Sequence, residues 1–359
     1  MFKIDQDIRI ANTLPASFYN SKEIFDLLAE KVFEKSWQWM GDEKRLLPLQ
    51  NSLYPTTFLS NIVNEPLLLV KQNDGKIACL SNVCTHRGNL LIQNPSVEKQ
   101  ITCMYHGRRF DLQGNFKFMP EFNEAQDFPR PCDSLHKFPL ENWNSHLFAA
   151  LNPSYDIQKV FDILSERVGF LPIDSFVYHP EMSKDYLINC HWALYCDNYL
   201  EGFHIPFVHK DLNEALDYGL YSTILYDHMN LQIGYSKGGD EIFNLPDGHP
   251  DFGRNVSAYY YWIFPNMMLN FYPWGLSINI VKPIDIHKTK VTFISYVYDE
   301  SKMGQGMSSL IDKVEREDEF VVEGVHRGLK SKFYQTGRFS PTREQGVHQF
   351  QRLLSQYLS

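Results

Sequence analysis

Cys84-Thr85-His86-Arg87-Gly88 and Cys103-Met104-Tyr105-His106-Gly107 are the two stretches of sequence that decide the fold of this chain. Each stretch pairs one cysteine with one histidine at short spacing and ends in a glycine. Thiolates are soft, negatively charged ligands, whereas imidazole nitrogens are neutral ligands. The two stretches together therefore offer two chemically different metal positions. The glycines allow tight turns that bring backbone N–H groups close to a bound metal centre. The sequence therefore predicts a metal centre held between two loops.

Two thiolates and two imidazoles form the ligand set of a Rieske [2Fe–2S] centre, in which two histidines hold one of the irons. A Cys2His2 zinc site is the alternative, but zinc fingers favour two cysteines followed by two histidines. Here each half is mixed, as Cys-x-His and Cys-x-x-His, and Arg108-Arg109-Phe110-Asp111 follows the second half. This combination resembles the Rieske signature. The predicted cluster ligands are Cys84, His86, Cys103 and His106.

The length and composition of the chain limit its size class and its partners. With 359 residues it can bury a sizeable core and is expected to form two domains. The net charge of −9 disfavours a nucleic-acid partner. No stretch is apolar enough to span a bilayer, no signal peptide is evident, and the six cysteines show no disulfide-like pattern. We therefore expect a cytoplasmic protein that does not enter a membrane.

The pattern of apolar residues divides the chain into segments. An amphipathic helix is predicted over 21–37, followed by short β-like runs and turn signals as far as Asn152-Pro153. Beyond that boundary we expect a helix near 157–168, strands over 220–235, 258–264, 270–281 and 291–298, a long helix over 307–329 and a last helix near 346–358.

A second group of ligand-type side chains lies in Asn198-Tyr199-Leu200-Glu201-Gly202-Phe203-His204-Ile205-Pro206-Phe207-Val208-His209. Glu201 and His204 are three residues apart and share a helical face. His204 and His209 are about 140° apart on an ideal helix, so they converge on one ion only if the helix breaks between them. Pro206 supplies that break. Two histidines and one carboxylate form the facial triad of non-haem Fe(II) oxygenases, which leaves positions open for O2.

The carboxylate of this triad is predicted to come from the long C-terminal helix. Its apolar residues form one stripe: Ile311, Val314, Val321, Val322, Val325 and Leu329. Asp318 falls in the middle of that stripe, and a buried carboxylate needs a partner or a metal ion. Asp318 is therefore the predicted third ligand, with Glu315 at the stripe edge as the runner-up. Taken singly, the two histidines are equally explained as core residues, and Asp318 as an ion-pairing residue.

With both groups of residues in place, the chain resembles the catalytic α subunit of Rieske non-haem iron oxygenases over nearly its whole length. The resemblance implies an α+β fold, in which a Rieske antiparallel β domain (38–152) is inserted in a helix-grip catalytic domain, an antiparallel sheet plus a long helix (1–37 and 153–359). It implies a [2Fe–2S] Rieske cluster on the four residues named above. It also implies a mononuclear Fe(II) held by His204, His209 and Asp318.

The same resemblance implies a homotrimer in which the cluster of one subunit serves the iron of its neighbour. Glu201 matches the acidic residue that bridges His106 of one subunit and His204 of the next, and Asn198 is a further candidate catalytic residue beside it. Most of the family has Asp at this place, whereas Glu is similar to the carnitine monooxygenase branch.

A similarity to choline monooxygenases rests on Asp197-Asn198-Tyr199-Leu200, on His209-Lys210-Asp211-Leu212 and on Phe264-Pro265-Asn266-Met267-Met268-Leu269-Asn270. The chain departs from the plant form by one residue fewer between the acidic residue and His204. The longer side chain of Glu201 offers compensation for that difference.

Aromatic side chains near the expected pocket fit a quaternary ammonium substrate, because aromatic faces hold cations through contacts of about 0.5–2 kcal/mol each. The candidates for substrate contact are Tyr195, Tyr199, Phe203, Trp262, Phe264, Tyr272 and Trp274. Core packing is the more frequent explanation for any one of them, since alternating aromatics on a sheet are usually buried.

The sequence therefore predicts a Rieske-type oxygenase that uses O2 to monooxygenate a small substrate of the choline, betaine or carnitine type. Because no Rossmann-type Gly-rich fingerprint is visible, electrons are expected from a separate NAD(P)H-dependent flavin or iron–sulfur reductase. One alternative is an aromatic ring-hydroxylating dioxygenase or demethylase. An alternative of another class is a Rieske electron-transfer protein whose downstream domain is structural.

Overall fold

The computed structural model describes residues 2–238, 242–302 and 311–359, which form two compact units. One unit joins the chain up to Phe33 with Tyr155–Ser359, and the other consists of Glu34–Ser154. The N-terminal helices are α1, Ala16–Asn20, and α2, Lys22–Leu28, followed by a π-helical turn at Ala29–Phe33. The single helix predicted over 21–37 was therefore too long. It ends early because Trp37 begins a strand that pairs with Ala150.

The unit Glu34–Ser154 is built from three small antiparallel sheets. Its elements are β1 Trp37–Asp42, α3 Glu43–Leu46, β2 Ser52–Phe58, β3 Glu65–Lys71, β4 Ile77–Ser81, β5 Ser96–Val97, β6 Ile101–Thr102, β7 Arg109–Phe110, β8 Phe116–Phe118, β9 Lys137–Phe138, β10 Leu140–Trp143 and β11 His146–Ala150, with a 3₁₀ turn at Pro131–Asp133. The strand orders are β1-β11-β10, β5-β2-β3-β4-β9 and β6-β7-β8. Small antiparallel β architecture is what the alternation of short apolar runs and turns predicted.

Strand β3 shows why this sequence folds as it does. It lies in the middle of the five-stranded sheet and buries residues 67–70 completely, and a strand covered on both faces favours such a continuous apolar run. The turn that follows passes through Gly75 with φ of 84°, which glycine adopts at little cost. The Gly75 N–H donates to the Gln72 carbonyl at 3.0 Å and closes the turn to β4.

The larger unit is organised around one antiparallel sheet of eight strands. Its elements are α4 Ile157–Val168, β12 Val177–Tyr178, β13 Lys184–Ile188, α5 Trp192–Tyr199, α6 Ile205–Val208, α7 Lys210–Ala215, β14 Ser222–Leu225, β15 Met229–Tyr235, β16 Val256–Ile263, β17 Met267–Tyr272, β18 Gly275–Asp285, β19 Lys288–Val297, α8 Ile311–Gly328 and α9 Gln345–Tyr357, with 3₁₀ turns at Ile173–Ser175, Pro180–Met182 and Glu300–Lys302. The strand order is β12-β19-β18-β17-β16-β15-β14, and β13 also pairs with β19. Helix α5 packs against β18, α8 and α9.

Helix α8 is the long C-terminal helix predicted from the sequence, and residues 307–310 of that prediction lie outside the described residues. Val322 and Leu329 are buried as expected, but Val325 is 45% exposed. The buried face instead includes Glu315 and His326. The predicted purely apolar stripe was therefore wrong in part, because two polar side chains share the face that packs inward.

Two features of the described ranges concern the cysteines and the helices. All six cysteines belong to these ranges, and each is a free thiol, five of them buried and Cys132 exposed. None of the helices described is both long enough and apolar enough to cross a membrane.

The close approach of α9 to the end of α5 gives a test of the fold. A Cβ atom built on Gly346 would lie 2.4 Å from the Leu200 carbonyl oxygen, which is backbone and cannot move aside cheaply. We expect Gly346→Ala to lower the free energy of unfolding by about 1–3 kcal/mol, the usual cost of overpacking. Urea denaturation followed by circular dichroism measures this change.

Gly324→Ala is the matched control, because Gly324 lies within α8 and its nearest neighbour would be 3.9 Å from the new Cβ. Replacing a helical glycine by alanine there should stabilise by up to about 1 kcal/mol. Equal effects of the two substitutions would contradict the close approach of α9 and α5.

Candidate metal centres and cavity

The two Cys–His stretches form loops of the same backbone design. In the first loop the Cys84 N–H donates to the Asn89 carbonyl at 2.8 Å, and the Gly88 N–H donates back to the Cys84 carbonyl at 3.0 Å. The second loop repeats both bonds between Cys103 and Arg108 and between Gly107 and Cys103, at 2.8 and 2.9 Å. Both glycines have φ of 73°, a conformation that side chains disfavour. The loops therefore match although the cysteine–histidine spacing differs by one residue.

The four predicted cluster ligands converge between these loops. Cys84 and Cys103 are each 2% exposed and belong to the hydrophobic core of their unit. The ring centroids of His86 and His106 are 4.9 Å apart. Nδ1 of His106 is buried and has no hydrogen-bond partner among the described residues. Two buried thiols with two adjacent imidazoles, one of them with an unpartnered nitrogen, fit a [2Fe–2S] cluster.

Hydrogen bonds to one of the sulfur atoms favour its thiolate form, which is the form that binds metal. Burial alone would raise the pKa of Cys103, but that pKa is lowered overall because the N–H groups of Tyr105 and His106, the Cys84 thiol and the amide of Asn89 donate to its sulfur. Asn89 Nδ2 lies 3.7 Å from the Cys103 sulfur. Burial raises the pKa of Cys84. The two sulfurs thus sit in unequal electrostatic environments.

Arg108, which the sequence analysis quoted in the signature without assigning it a role, supports the second loop. Its side chain is 2% exposed and pairs with Asp133 at 2.6 Å. The guanidinium also lies 5.0 Å from the Phe116 ring centroid and 5.6 Å from that of Phe128. A buried cation needs a partner of this kind, since an unpaired one costs several kcal/mol. Arg108 therefore acts as a structural anchor directly behind the loop.

The second predicted metal site is assembled from α6 and α8. His204 immediately precedes α6 and His209 immediately follows it, so the two histidines flank one short helix. Pro206 lies at the start of α6, where the missing N–H costs nothing. The break predicted at Pro206 was therefore wrong, because Pro206 lies inside α6 and the helix instead ends at His209, whose φ of −107° and ψ of 76° are not helical. The outcome is still convergence: one ligand atom each from His204, His209 and Asp318 lies within 4.8 Å of the others.

The distances within this group fit a mononuclear metal ion. His209 Nε2 lies 3.0 Å and His204 Nε2 lies 3.5 Å from the Asp318 Oδ1 atom. The three side chains are partly buried. Asp318 is the carboxylate that the sequence analysis preferred to Glu315 as the third ligand. Two imidazoles and one carboxylate with the remaining side open to a cavity match the ligand pattern of non-haem iron sites.

Each histidine is held through its other ring nitrogen by a glutamate. His204 Nδ1 lies 2.6 Å from Glu201 Oε1, and His209 Nδ1 lies 2.7 Å from Glu317 Oε2. Such carboxylate contacts fix the ring orientation and leave Nε2 free for a metal. Burial lowers the pKa of His209, but Asp318 and Glu317 more than offset it, so that the pKa is raised. No role was predicted for Glu317, although it directly precedes Asp318 in the sequence.

Glu201 has further contacts within its own chain. Its Oε2 accepts hydrogen bonds from the backbone N–H groups of Phe203 and His204, the latter at 3.1 Å. The carboxylate therefore caps the start of the segment that leads into α6. Asn198, the other candidate catalytic residue, donates from Nδ2 to Asp318 Oδ1 at 2.8 Å. Both residues thus touch proposed iron ligands.

A cavity of about 140 Å³ adjoins the three ligands. Its wall is formed by α5, α6, α7, α8 and the inner strands of the large sheet. The lining residues are Tyr195, Asn198, Tyr199, His204, Ile205, His209, Leu212, Leu216, Tyr221, Gln232, Tyr260, Asn270, Tyr272, Asn279, Phe293, Val314, Glu315 and Asp318. Aromatic and amide side chains dominate this surface.

Three of the seven predicted substrate residues, Tyr195, Tyr199 and Tyr272, line this cavity. Phe203 does not, and its side chain is 42% exposed. Trp274 is buried behind the wall, stacked on Tyr272 with ring centroids 5.2 Å apart.

Trp262 and Phe264 are also absent from the lining, because α9 covers them. The Trp262 ring centroid lies 5.3 Å from that of Phe350, and the Phe264 centroid lies 4.8 Å from that of Tyr357. The core explanation therefore applies to both residues.

The sequence analysis missed a polar row across three strands of the cavity wall. Gln232, Tyr260 and Asn270 are directly paired from β15 to β16 to β17. The Tyr199 hydroxyl donates a hydrogen bond to Asn270 Oδ1 at 2.5 Å. Polar residues inside strongly apolar strands were the signal that could have identified this row, since buried amides need partners or a ligand.

Glu315, the runner-up for the metal carboxylate, is not part of the three-ligand group. It lines the cavity and accepts a hydrogen bond from the Tyr195 hydroxyl at 2.7 Å. The choice of Asp318 over Glu315 thus agrees with the geometry, while the identity of the bound ligands stays a prediction.

Comparison with protein families gives two matches that together cover most of the chain. Residues 37–132 match the family described as Rieske [2Fe–2S] domain, and residues 173–359 match the ring hydroxylating alpha subunit (catalytic domain). The first match excludes the zinc alternative. The division at 38–152 that the sequence suggested stays a prediction.

Two groups of relatives resemble the chain over nearly its whole length. Choline monooxygenase of Arabidopsis thaliana, a chloroplastic protein, is 28% identical over 96% of this chain and 82% of its own length. The carnitine monooxygenase oxygenase subunit of Escherichia coli K12 is 27% identical over 96% of this chain and 93% of its own length.

Solved structures share the fold. A structure of the quaternary ammonium Rieske monooxygenase CntA with an inhibitor has a TM-score of 0.78 at 22% identity and covers 100% of this chain and 99% of its own. Naphthalene 1,2-dioxygenase from Rhodococcus sp. has a TM-score of 0.73 at 16% identity, covering 96% and 94%. The predicted fold, a Rieske β domain with a catalytic domain of antiparallel sheet and helices, is confirmed by these similarities.

The three-ligand group makes a prediction about metal content. His204→Ala and Asp318→Ala should each remove the mononuclear iron and leave the cluster irons in place, because the two sites share no ligand. Iron analysis by mass spectrometry measures the first, and the electron paramagnetic resonance signal of the reduced cluster measures the second. Glu319→Ala, one position along α8 and outside the cavity wall, is the control that should lose neither. Full iron content in both ligand variants would refute the site.

Proposed function

The chain belongs to the ring-hydroxylating α-subunit family of Rieske non-haem iron oxygenases, and from this premise we propose that it monooxygenates a small quaternary ammonium compound. The enzyme is an oxidoreductase whose cofactors are a Rieske [2Fe–2S] cluster and a mononuclear iron. The observation that carries the substrate proposal is a cavity of about 140 Å³ in which five tyrosines stand beside the three proposed iron ligands.

When bound, the cluster supplies single electrons and the mononuclear iron supplies activation of O2. The residues of this chain hold and orient those groups. His204 and His209 present Nε2 to the iron position, while Glu201 and Glu317 fix the opposite ring nitrogens. Asn198 donates to Asp318 and so keeps the carboxylate turned toward the histidines. The cavity wall surrounds part of the space where substrate would lie.

The five cavity tyrosines suit a permanent cation. They are Tyr195, Tyr199, Tyr221, Tyr260 and Tyr272. Burial raises the pKa of each phenol, that of Tyr260 to about 12, so all five are neutral near pH 7. Neutral aromatic rings attract a quaternary ammonium group by cation–π contacts of about 0.5–2 kcal/mol each. Several such contacts provide affinity without requiring a hydrogen bond that a quaternary nitrogen cannot donate.

The relatives support this substrate class over the alternatives. Proteins named choline and carnitine monooxygenase match nearly all of the chain, and further CntA structures are described as complexes with L-carnitine and with gamma-butyrobetaine. The naphthalene dioxygenase similarity concerns the fold alone. A hydrocarbon ring would also offer no hydrogen-bond donor to Gln232 Oε1, a buried oxygen of the cavity wall that has no partner among the described residues. A protein that only transfers electrons would not need the three proposed iron ligands or the cavity beside them.

The proposal includes a separate NAD(P)H-dependent reductase and a homotrimer with electron transfer between subunits. One CntA structure is described as revealing inter-subunit electron transfer. In this chain, apolar side chains are exposed beside both metal sites: Met104 and Tyr105 next to His106, and Phe203, Phe207 and Phe320 near the iron ligands. Large exposed apolar groups of this kind mark protein interfaces. A reducing compartment such as the cytoplasm fits the four cysteines outside the proposed cluster, Cys79, Cys132, Cys190 and Cys196, which form no disulfide.

Substrate-dependent O2 consumption tests the proposed activity. With a surrogate reductase, we expect a quaternary ammonium compound to stimulate O2 uptake and to yield a hydroxylated or demethylated product in the mass spectrum. Choline, glycine betaine, carnitine and simple aromatic acids form the test panel, with the His204→Ala enzyme as the control without iron. If the enzyme turns over an aromatic acid and none of the quaternary ammonium compounds, the proposed substrate class is wrong and ring hydroxylation replaces it.

Glu201 is expected to govern electron delivery. Glu201→Gln should leave both metal sites filled yet slow reoxidation of the reduced cluster in single-turnover stopped-flow experiments by about tenfold or more, the effect of losing one charged hydrogen bond of roughly 1.5–3 kcal/mol. Glu214→Gln, at an exposed position of α7, is the matched control. An unchanged rate in the Glu201 variant would refute its place between the two centres.

A further inference from the structure

The charges on the cavity wall are strongly one-sided. Two carboxyl groups, those of Glu315 and Asp318, belong to the wall, whereas none of its residues is a lysine or an arginine. Residues 239–241 and 303–310, outside the described ranges, also contain no lysine or arginine in the sequence. A bound molecule with a carboxylate would therefore find no basic side chain of this chain at the wall.

Glu315 is the carboxyl group of the wall that no other function uses. It is 4% exposed, and its Oε2 accepts a hydrogen bond from the Tyr195 hydroxyl at 2.7 Å. Its Oε1 is buried and has no hydrogen-bond partner among the described residues. A buried oxygen without a partner is costly, so its presence in a cavity wall indicates a group that arrives with the ligand.

We propose that Glu315 is the charge partner of the substrate's ammonium head, and that the cavity selects quaternary ammonium compounds with an uncharged tail, such as an amino alcohol, over those with a carboxylate. The inference rests on the proposed function and narrows it within that substrate class. The tyrosines surround the methyl groups of the head, and the free Oε1 supplies the countercharge. Gln232 Oε1, an oxygen of the wall without a hydrogen-bond partner among the described residues, is suited to accept a hydrogen bond from a hydroxyl group of the tail.

Two features of the cavity disfavour binding of a substrate that carries a carboxylate. Its carboxylate would be buried without a basic partner and close to Asp318, and a buried unpaired charge is strongly unfavourable. The cavity is also small, about 140 Å³ against roughly 300–1,000 Å³ for common ligand pockets, which favours a short tail.

The protonation of Glu315 agrees with a cationic ligand. Burial raises its pKa to about 8, against the lowering effect of the Tyr195 hydrogen bond, and the neighbouring carboxylates Asp318, Glu319 and Asp312 add to the rise. In the empty cavity the carboxyl group is therefore largely neutral near pH 7, which lowers the cost of burying it. A permanent cation alongside favours its ionised form.

Calorimetric titration of the iron-loaded enzyme without reductase tests the inference. The probes are choline, its uncharged isostere 3,3-dimethyl-1-butanol, glycine betaine and L-carnitine. We expect choline to bind about tenfold or more tighter than the isostere and than both carboxylated compounds. Glu315→Gln should weaken choline binding by about tenfold and leave binding of the isostere within about twofold, because only the charge is removed.

Glu319→Gln is the control, since it removes a carboxylate from the same helix at a position outside the cavity wall. Equal losses for choline and the isostere in Glu315→Gln would show a structural role and overturn the proposal, as would unchanged choline binding. If that variant does not fold, the probe series on the unaltered enzyme decides alone: carnitine or betaine binding as tightly as choline would overturn it. That result leaves the proposed function standing, whereas no binding or turnover of any quaternary ammonium probe would overturn both.

Discussion

A single carboxylate oxygen is the point on which the catalytic unit depends. Asp318 Oδ1 lies 3.0 Å from His209 Nε2 and 3.5 Å from His204 Nε2, and accepts a hydrogen bond from Asn198. These side chains come from α8, from the two ends of α6 and from α5, so the oxygen joins segments that are far apart in sequence. Because burying such a group is costly without a cation, an iron ion bound there would hold these segments together as well as supply chemistry.

The helix that supplies this carboxylate also shapes the cavity. Glu315 precedes Asp318 by three residues and therefore lies on the same face of α8. The group assigned to the iron and the group assigned to the substrate are thus spaced by one rigid element, which is how active sites keep reacting groups in register. The tyrosines of α5, β16 and β17 complete the enclosure. Helix α8 consequently carries both Glu315, the residue proposed to select the substrate, and Asp318, the residue proposed to hold the iron.

How much the sequence could predict depended on how local each feature is. The Rieske domain was predictable because its proposed ligands lie in two short loops. The proximity of Asp318 to the two histidines was predictable because helical periodicity placed a carboxylate among apolar residues. The cavity wall was not, because strand periodicity does not say how far a cavity extends. Tyr260 and Trp262 lie on the same face of β16, yet only Tyr260 lines the cavity, since α9 covers Trp262. The role of Glu317 required knowing where α6 meets α8.

The central claim is that His204, His209 and Asp318 hold an iron ion beside a cavity that accepts a quaternary ammonium alcohol. A crystal structure of the iron-loaded enzyme grown anaerobically with choline, with anomalous diffraction recorded at the iron absorption edge, measures both parts at once. The account predicts an anomalous peak between these three residues, with the trimethylammonium group among the cavity tyrosines and next to Glu315. Iron bound elsewhere in the catalytic unit, or choline bound outside this cavity, would contradict it.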